Sequence, residues 1–175
     1  PLDWTVIPKA DLVEGAAMDD ALAAYTYGTV MTYNTDQVKT PPRSWAEWWN
    51  TGTYSCRRTM RNVPIDNLEM GLMAAGTAPA KVYPVDTAAA YQELDKIKRQ
   101  VVNFWDSGAQ SIQLVAEGAA CLGTAWNNRV VAAAKAGQPI GFVWDQALIH
   151  RDYYTVLKGA PNAAAAMKLI AYAMR

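Results

Sequence analysis

Apolar positions along the chain switch between two rhythms. Tyr27 to Tyr33 is β-branched and aromatic and predicts a strand ending at Asn34. Ala119 to Trp126 is a short uncharged run that suits a buried strand. Cys56 to Met60, closed by Pro64, Ile140 to Trp144 and Tyr153 to Leu157 predict three more. Between them lie helical patterns with readable ends. Ser44 and Glu47 stand at capping-box spacing and open a short helix through Trp49; Asp66 and Glu69 repeat the pattern before Leu68, Leu72 and Met73, with Gly76 as the stop. Asp86 caps a longer helix with Ala90, Leu94, Ile97 and Val101 on one face and Glu93, Asp95, Lys96, Lys98 and Arg99 toward water. Ser107 to Glu117 forms a third, with Ile112, Leu114 and Val115 inward, and Pro161-Asn162 starts a final helix with a face of Met167, Ile170, Ala171 and Met174. Pro1 to Ile7 reads as loop, Asp11 to Ala24 as containing a short helix, and Pro41-Pro42 marks a linker. Strands alternating with helices of this length predict an α/β fold, a mixed sheet flanked by helices.

The stretch that organises the chain is Gly118 to Gly137. Its strand runs into Asn127 as a helix N-cap, then the Ala-rich Arg129 to Ala136, then Gly137 at C′. Trp126 therefore stands at the carboxyl end of a strand, the edge where open α/β sheets hold ligands. The alternative occupation for its indole is packing between strand and helix.

Composition narrows the function. With 175 residues, 51% hydrophobic and 18% charged, the chain can bury one sizeable core or two small lobes. A net charge of zero without a basic run argues against nucleic acid. No apolar run reaches membrane-spanning length, and no charged-then-apolar leader precedes Pro1, so a secretion signal is expected to be absent or already removed. Cys56 and Cys121 either pair in an oxidising compartment or are buried free thiols. Seven Trp and nine Tyr supply stacking surface as well as core. No nucleophile elbow, P-loop or dinucleotide fingerprint is present, and the lone His150 has no second histidine with which to share a metal. The expectation is therefore no enzyme, no cofactor and no metal; an α/β-scaffold hydrolase or transferase, or an interaction domain without a small ligand, are the alternatives.

Ser44-Trp45-Ala46-Glu47-Trp48-Trp49, Gly123-Thr124-Ala125-Trp126-Asn127, Gly137-Gln138-Pro139-Ile140 and Lys158-Gly159-Ala160-Pro161-Asn162, with Tyr33-Asn34-Thr35-Asp36 before them, fall in order along the chain. They resemble the landmarks of extracellular solute-binding proteins of ABC importers, the spermidine/putrescine-binding type. The resemblance implies a periplasmic-binding-protein type II-like lobe, a periplasmic or extracellular location, a polyamine or other amine as solute, and a membrane permease as partner. It also implies a chain about half a family member, lacking much of the first lobe: residues 1–42 a partial first-lobe segment and crossover, 43–149 the second lobe, 150–175 the return. Apolar surface would then lie uncovered on Tyr27 to Tyr33, Tyr153 to Leu157 and the final helix, with homo-oligomerisation as a consequence.

The resemblance places the ligand contacts on Trp126, Asp66, Asp152 and His150. Trp126 would lay its indole against a methylene chain or ammonium, a contact worth on the order of 0.5 to 2 kcal/mol. Asp66 would pair with an amine, or else serve only as the N-cap of its own helix. Asp152 would be a second acid, or an exposed loop carboxylate. Two departures weaken the site for a dication: Val63 stands where the family has another acid, and His150 where it has a second tryptophan. Arg151 next door could suit an anion.

Overall fold

The computed structural model describes residues 2–7 and 9–174. They divide into two compact units, one of residues 1–27 with 149–175 and one of residues 28–148.

The larger unit holds most of the sheet, whose order is β3-β2-β4-β1-β5. Its strands are β1 (Leu22–Asn34), β2 (Arg58–Arg61), β3 (Val101–Trp105), β4 (Leu122–Trp126) and β5 (Ile140–Tyr154), β1 and β5 each running on into the smaller unit. β2 runs parallel to both β3 and β4, whereas β1 is antiparallel to β4. The sheet is mixed and flanked by helices, as the pattern predicts.

Helices begin where the sequence supplies a cap. Ser44 accepts from the amide of Glu47 to open α1 (Trp45–Trp49), Asp86 from that of Ala89 to open α3 (Thr87–Ile97), and Ser107 from that of Gln110 to open α4 (Gly108–Ala116). Gly76, Gly118 and Gly137 follow helices at positive φ, the conformation a C′ residue needs. The remaining helices are α2 (Asn67–Ala74), α5 (Asn127–Lys135) and α6 (Ala163–Ala173). None of the described helices is long and apolar enough to cross a membrane.

Several sequence expectations need correction. Asp11 to Ala24 forms no α-helix: a 3-10 turn at Lys9–Asp11 gives way to Gly15 at φ +74°, and Ala17 bridges to Leu22 where β1 begins. Val101 opens β3 rather than closing a helix; its strand was hidden because its apolar residues follow the helical register of α3. Ile140 to Trp144 and the start of Tyr153 to Leu157 are one continuous strand, with Gln146 at φ +57° in its middle. The polar stretch around Asp145 and Asp152 breaks the apolar pattern, but backbone pairing does not depend on it. Tyr27 to Tyr33 is not left bare either, because Val30 and Met31 are buried.

Cys56 and Cys121 form a disulfide, with Cα atoms 5.9 Å apart. Around it lies the main core, in which Trp45, Trp48, Met60, Met70 and Leu122 are fully enclosed. In the smaller unit Met167, Ile170 and Ala171 of α6 pack on Leu2, Ile7 and Leu22, while Leu169 and Tyr172 face outward.

Candidate functional site

The parallel ladders carry β2, β3 and β4 to the same edge, and each ends in a large side chain: Arg61, Trp105 and Trp126. Trp105 is fully buried and donates its indole N–H to Thr124 at 3.3 Å, so it forms a fixed floor. Trp126 stands edge-on to it, centroids 5.6 Å apart at 86°. The six-membered ring of Trp126 lies over Gly108, the first residue of α4; a Cβ there would come within 2.9 Å of two ring carbons. Only glycine leaves that space, so α4 and Trp126 fix each other. Arg61 sits above both indoles, its guanidinium carbon 5.2 Å from the Trp126 centroid and 5.8 Å from that of Trp105. The cation on the Trp126 ring is thus supplied by the protein.

Asn127 does not cap α5 as the pattern predicts. The cap position belongs to Trp126, which offers no side-chain acceptor, and the Asn127 amide oxygen instead accepts from the backbone N–H of Gly28 at 2.9 Å. This ties the start of α5 to β1, where Thr29 is the register partner of Trp126. Thr29 donates to the carboxylate of Asp66 at 2.7 Å. Trp126 and Asp66 are therefore brought together through one threonine.

Asp66 precedes α2 at φ +70°, ψ −46°, a conformation costing about 1–3 kcal/mol in a non-glycine residue. Its side chain makes no cap bond, so that structural occupation does not apply. The unusual backbone turns the carboxylate inward, where only 1% of the residue is exposed. Glu69, one turn on, is missed by sequence reasoning, which reads it as the return half of a capping box. It too is buried, at 7% exposed. One oxygen accepts from the Tyr83 hydroxyl at 2.8 Å, and the other has no hydrogen-bond partner among the described residues. It lines a cavity of about 180 Å³ together with Met73, Val82, Tyr83, Gln146 and Leu148. The signal was available: two acids at i, i+3 project from the same side of a helix.

The hydrogen bond to Glu69, then burial, then the charges of Glu69 and Asp66 push the Tyr83 pKa up from 10.0 to about 12. A raised pKa stabilises the fold fully below pH 10 and loses that contribution as pH climbs through 12. Ultraviolet titration of wild type against Tyr83→Phe should give a difference curve with its midpoint near 12; a midpoint at 10 would break the Tyr83–Glu69 pair.

In the smaller unit, the His150 ring stacks on Tyr27 with centroids 5.0 Å apart at 24°. The phenol of Tyr25 is hydrogen-bonded to Asp152, which raises its pKa, and the negative charge of Asp152 raises it further. His150 and Asp152 are therefore held among tyrosines rather than loose at the surface. Arg151 turns away to bind the carbonyl of Gly15 at 3.2 Å.

A family model for bacterial extracellular solute-binding proteins matches residues 5–175. The chain belongs to this family. A gamma-aminobutyric acid-binding protein of Pseudomonas aeruginosa is 33% identical over 94% of the chain and 48% of its own length. A spermidine/putrescine-binding periplasmic protein of Salmonella typhimurium is 27% identical over 90% of the chain and 45% of its own length. A solved GABA receptor superposes with a TM-score of 0.89 at 36% identity, over 98% of this chain and 54% of that one. The chain thus spans about half the length of the relatives it matches. Family membership sets aside the enzyme alternatives, and the sheet is that of periplasmic-binding-protein type substrate-binding proteins.

Proposed function

We propose that the chain is part of the solute-binding component of an ABC importer, working outside the cytoplasmic membrane, and that its solute is a small aliphatic amine that also carries a carboxylate. The observation that carries this reading is what gathers at the carboxyl ends of the parallel strands: Arg61 over Trp126, and the buried carboxylate of Asp66 bonded to Thr29, the register partner of Trp126, with the buried Glu69 one turn along α2. α2, α4 and α5 follow β2, β3 and β4 in the chain, so their amino termini come after the carboxyl ends of those strands, and their partial positive charge favours the carboxylate end. Glu69, with one oxygen still open, suits the ammonium end. A carboxylate in so enclosed a place gains most from a positively charged partner. Trp126 supplies the apolar wall for the methylene chain.

A diamine such as putrescine fits less well. It would bring a second ammonium toward Arg61, and like charges at close range cost several kcal/mol. The similarity to a gamma-aminobutyric acid-binding protein supports the same preference. Calorimetry with γ-aminobutyrate, butyrate, butylamine and putrescine tests it, all four having the same carbon count. γ-Aminobutyrate should bind tightest; putrescine binding tightest would return the site to polyamines. Trp126→Ala and Asp66→Asn should each weaken the best ligand by at least tenfold, about 1.4 kcal/mol. Asparagine tolerates positive φ better than most residues, so the second variant removes charge more than backbone geometry. Unchanged affinity in both would remove these residues from the site.

A further inference from the structure

The disulfide lies at the opposite end of the strands that carry the site. Cys56 directly precedes Arg57 and β2, and Cys121 directly precedes β4. The parallel ladder between these two strands is short, with Arg58 opposite Leu122 and Thr59 opposite Gly123. Its few backbone bonds are reinforced by the amide of Cys121, which donates to the carbonyl of Arg57 at 3.0 Å. At Gly123 side chains crowd in so closely that a Cβ would come within 2.9 Å of the Thr59 methyl and 2.8 Å of a Val115 methyl of α4. A few residues further on, the same strands end in Arg61 and Trp126, whose contact at 5.2 Å defines the site.

Register decides which side of a sheet each residue faces, and a slip by one residue reverses it. So short a ladder holds register weakly by itself. We propose that the Cys56–Cys121 bond positions the solute site, fixing the β2/β4 register that sets Arg61 over Trp126, so that opening it lowers solute affinity in a protein that is still folded. This rests on the functional reading above. The bond would be opened by a dithiol: two electrons and two protons convert the disulfide to two thiols, and the dithiol becomes a cyclic disulfide.

The test compares bridged protein, dithiothreitol-reduced protein and Cys56→Ala/Cys121→Val. The variant refills the space with apolar side chains, and a sulfate buffer favours the folded state. Far-ultraviolet circular dichroism establishes folding, calorimetry measures γ-aminobutyrate, and the near-ultraviolet signal is taken as the difference in circular dichroism between each form and its Arg61→Gln counterpart, in which the disulfide's own contribution cancels. Both unbridged forms are expected to bind at least tenfold more weakly with an altered near-ultraviolet signal. In an Arg61→Gln background, opening the bond should have little further effect on affinity. Equal affinity and an equal near-ultraviolet signal in folded unbridged protein would overturn the proposal. Unbridged forms that do not fold at all would do so too, since the bond would then serve the fold alone. If the bridged protein binds neither γ-aminobutyrate nor putrescine, the functional reading fails, while the near-ultraviolet comparison still decides whether the bond positions the site.

Discussion

Arg61→Gln should weaken γ-aminobutyrate by roughly thirtyfold or more while leaving putrescine binding unchanged or improved. Removing one partner of an enclosed, hydrogen-bonded charge pair costs about 2–5 kcal/mol, and the lower figure already gives that factor. The side chain is half-buried and stacked on two indoles, so glutamine loses the charge and fork while keeping part of the covering surface. Stability should therefore fall much less than affinity. The opposite response to the diamine separates this from general damage, because it follows only if Arg61 repels a second ammonium. Calorimetry with both ligands on both proteins measures it. A variant that loses both ligands equally would show that Arg61 holds the floor of the site rather than selecting the carboxylate.

Neither Arg61 nor Glu69 stands out in the sequence as a candidate site residue, whereas Trp126 and Asp66 do. Trp126 could be read because a strand-turn-helix pattern fixes what lies at a strand's carboxyl end. The same logic applies to β2 and β3, but β3 was concealed by its continuity with the α3 pattern, and without it Arg61 has no neighbours to mark it. Glu69 was obscured by a true regularity. The Asp-x-x-Glu spacing does mark a helix start, and α2 does begin there, yet the backbone at φ +70° swings Asp66 out of capping position. Local pattern located the helix and misassigned its acids, because the turn that redirects them is set by the tertiary bond from Thr29. The caps at Ser44, Asp86 and Ser107 involve only adjacent residues and were readable for that reason. The disulfide was open in the sequence, since two cysteines 65 residues apart pair or not according to topology, and it is β2 lying against β4 that brings them together.

The largest loss of stability is expected from Arg58→Met. Arg58 is fully buried at the start of β2, and burial lowers its pKa. Among the described residues no carboxylate pairs with it. Its guanidinium instead donates to four carbonyls, those of Trp48 at 3.0 Å, Cys56 at 2.9 Å, Tyr54 at 2.9 Å and Asn50 at 3.4 Å. These carbonyls belong to the end of α1 and the loop after it, which have no strand to bond with, and the face of Trp48 lies 5.3 Å from the guanidinium carbon. One planar fork thus satisfies the backbone of an otherwise irregular segment and seats it beside the disulfide. Methionine fills similar volume but takes the donor from the buried Trp48 carbonyl and the part-buried carbonyls of Cys56 and Tyr54, at about 1–3 kcal/mol for each group left unsatisfied, while the Asn50 carbonyl keeps the amide of Tyr54. Even with some reaching water, about 4 kcal/mol or more is expected, a large share of the roughly 5–15 kcal/mol that holds a typical domain. Lysine should rescue little, because an ammonium cannot reach four carbonyls in the fork geometry. Urea unfolding of wild type, Arg58→Met and Arg58→Lys gives the comparison. A loss below about 1 kcal/mol for Arg58→Met would mean that the loop finds other partners, and that the seat of β2 beneath Arg61 is set by the disulfide alone.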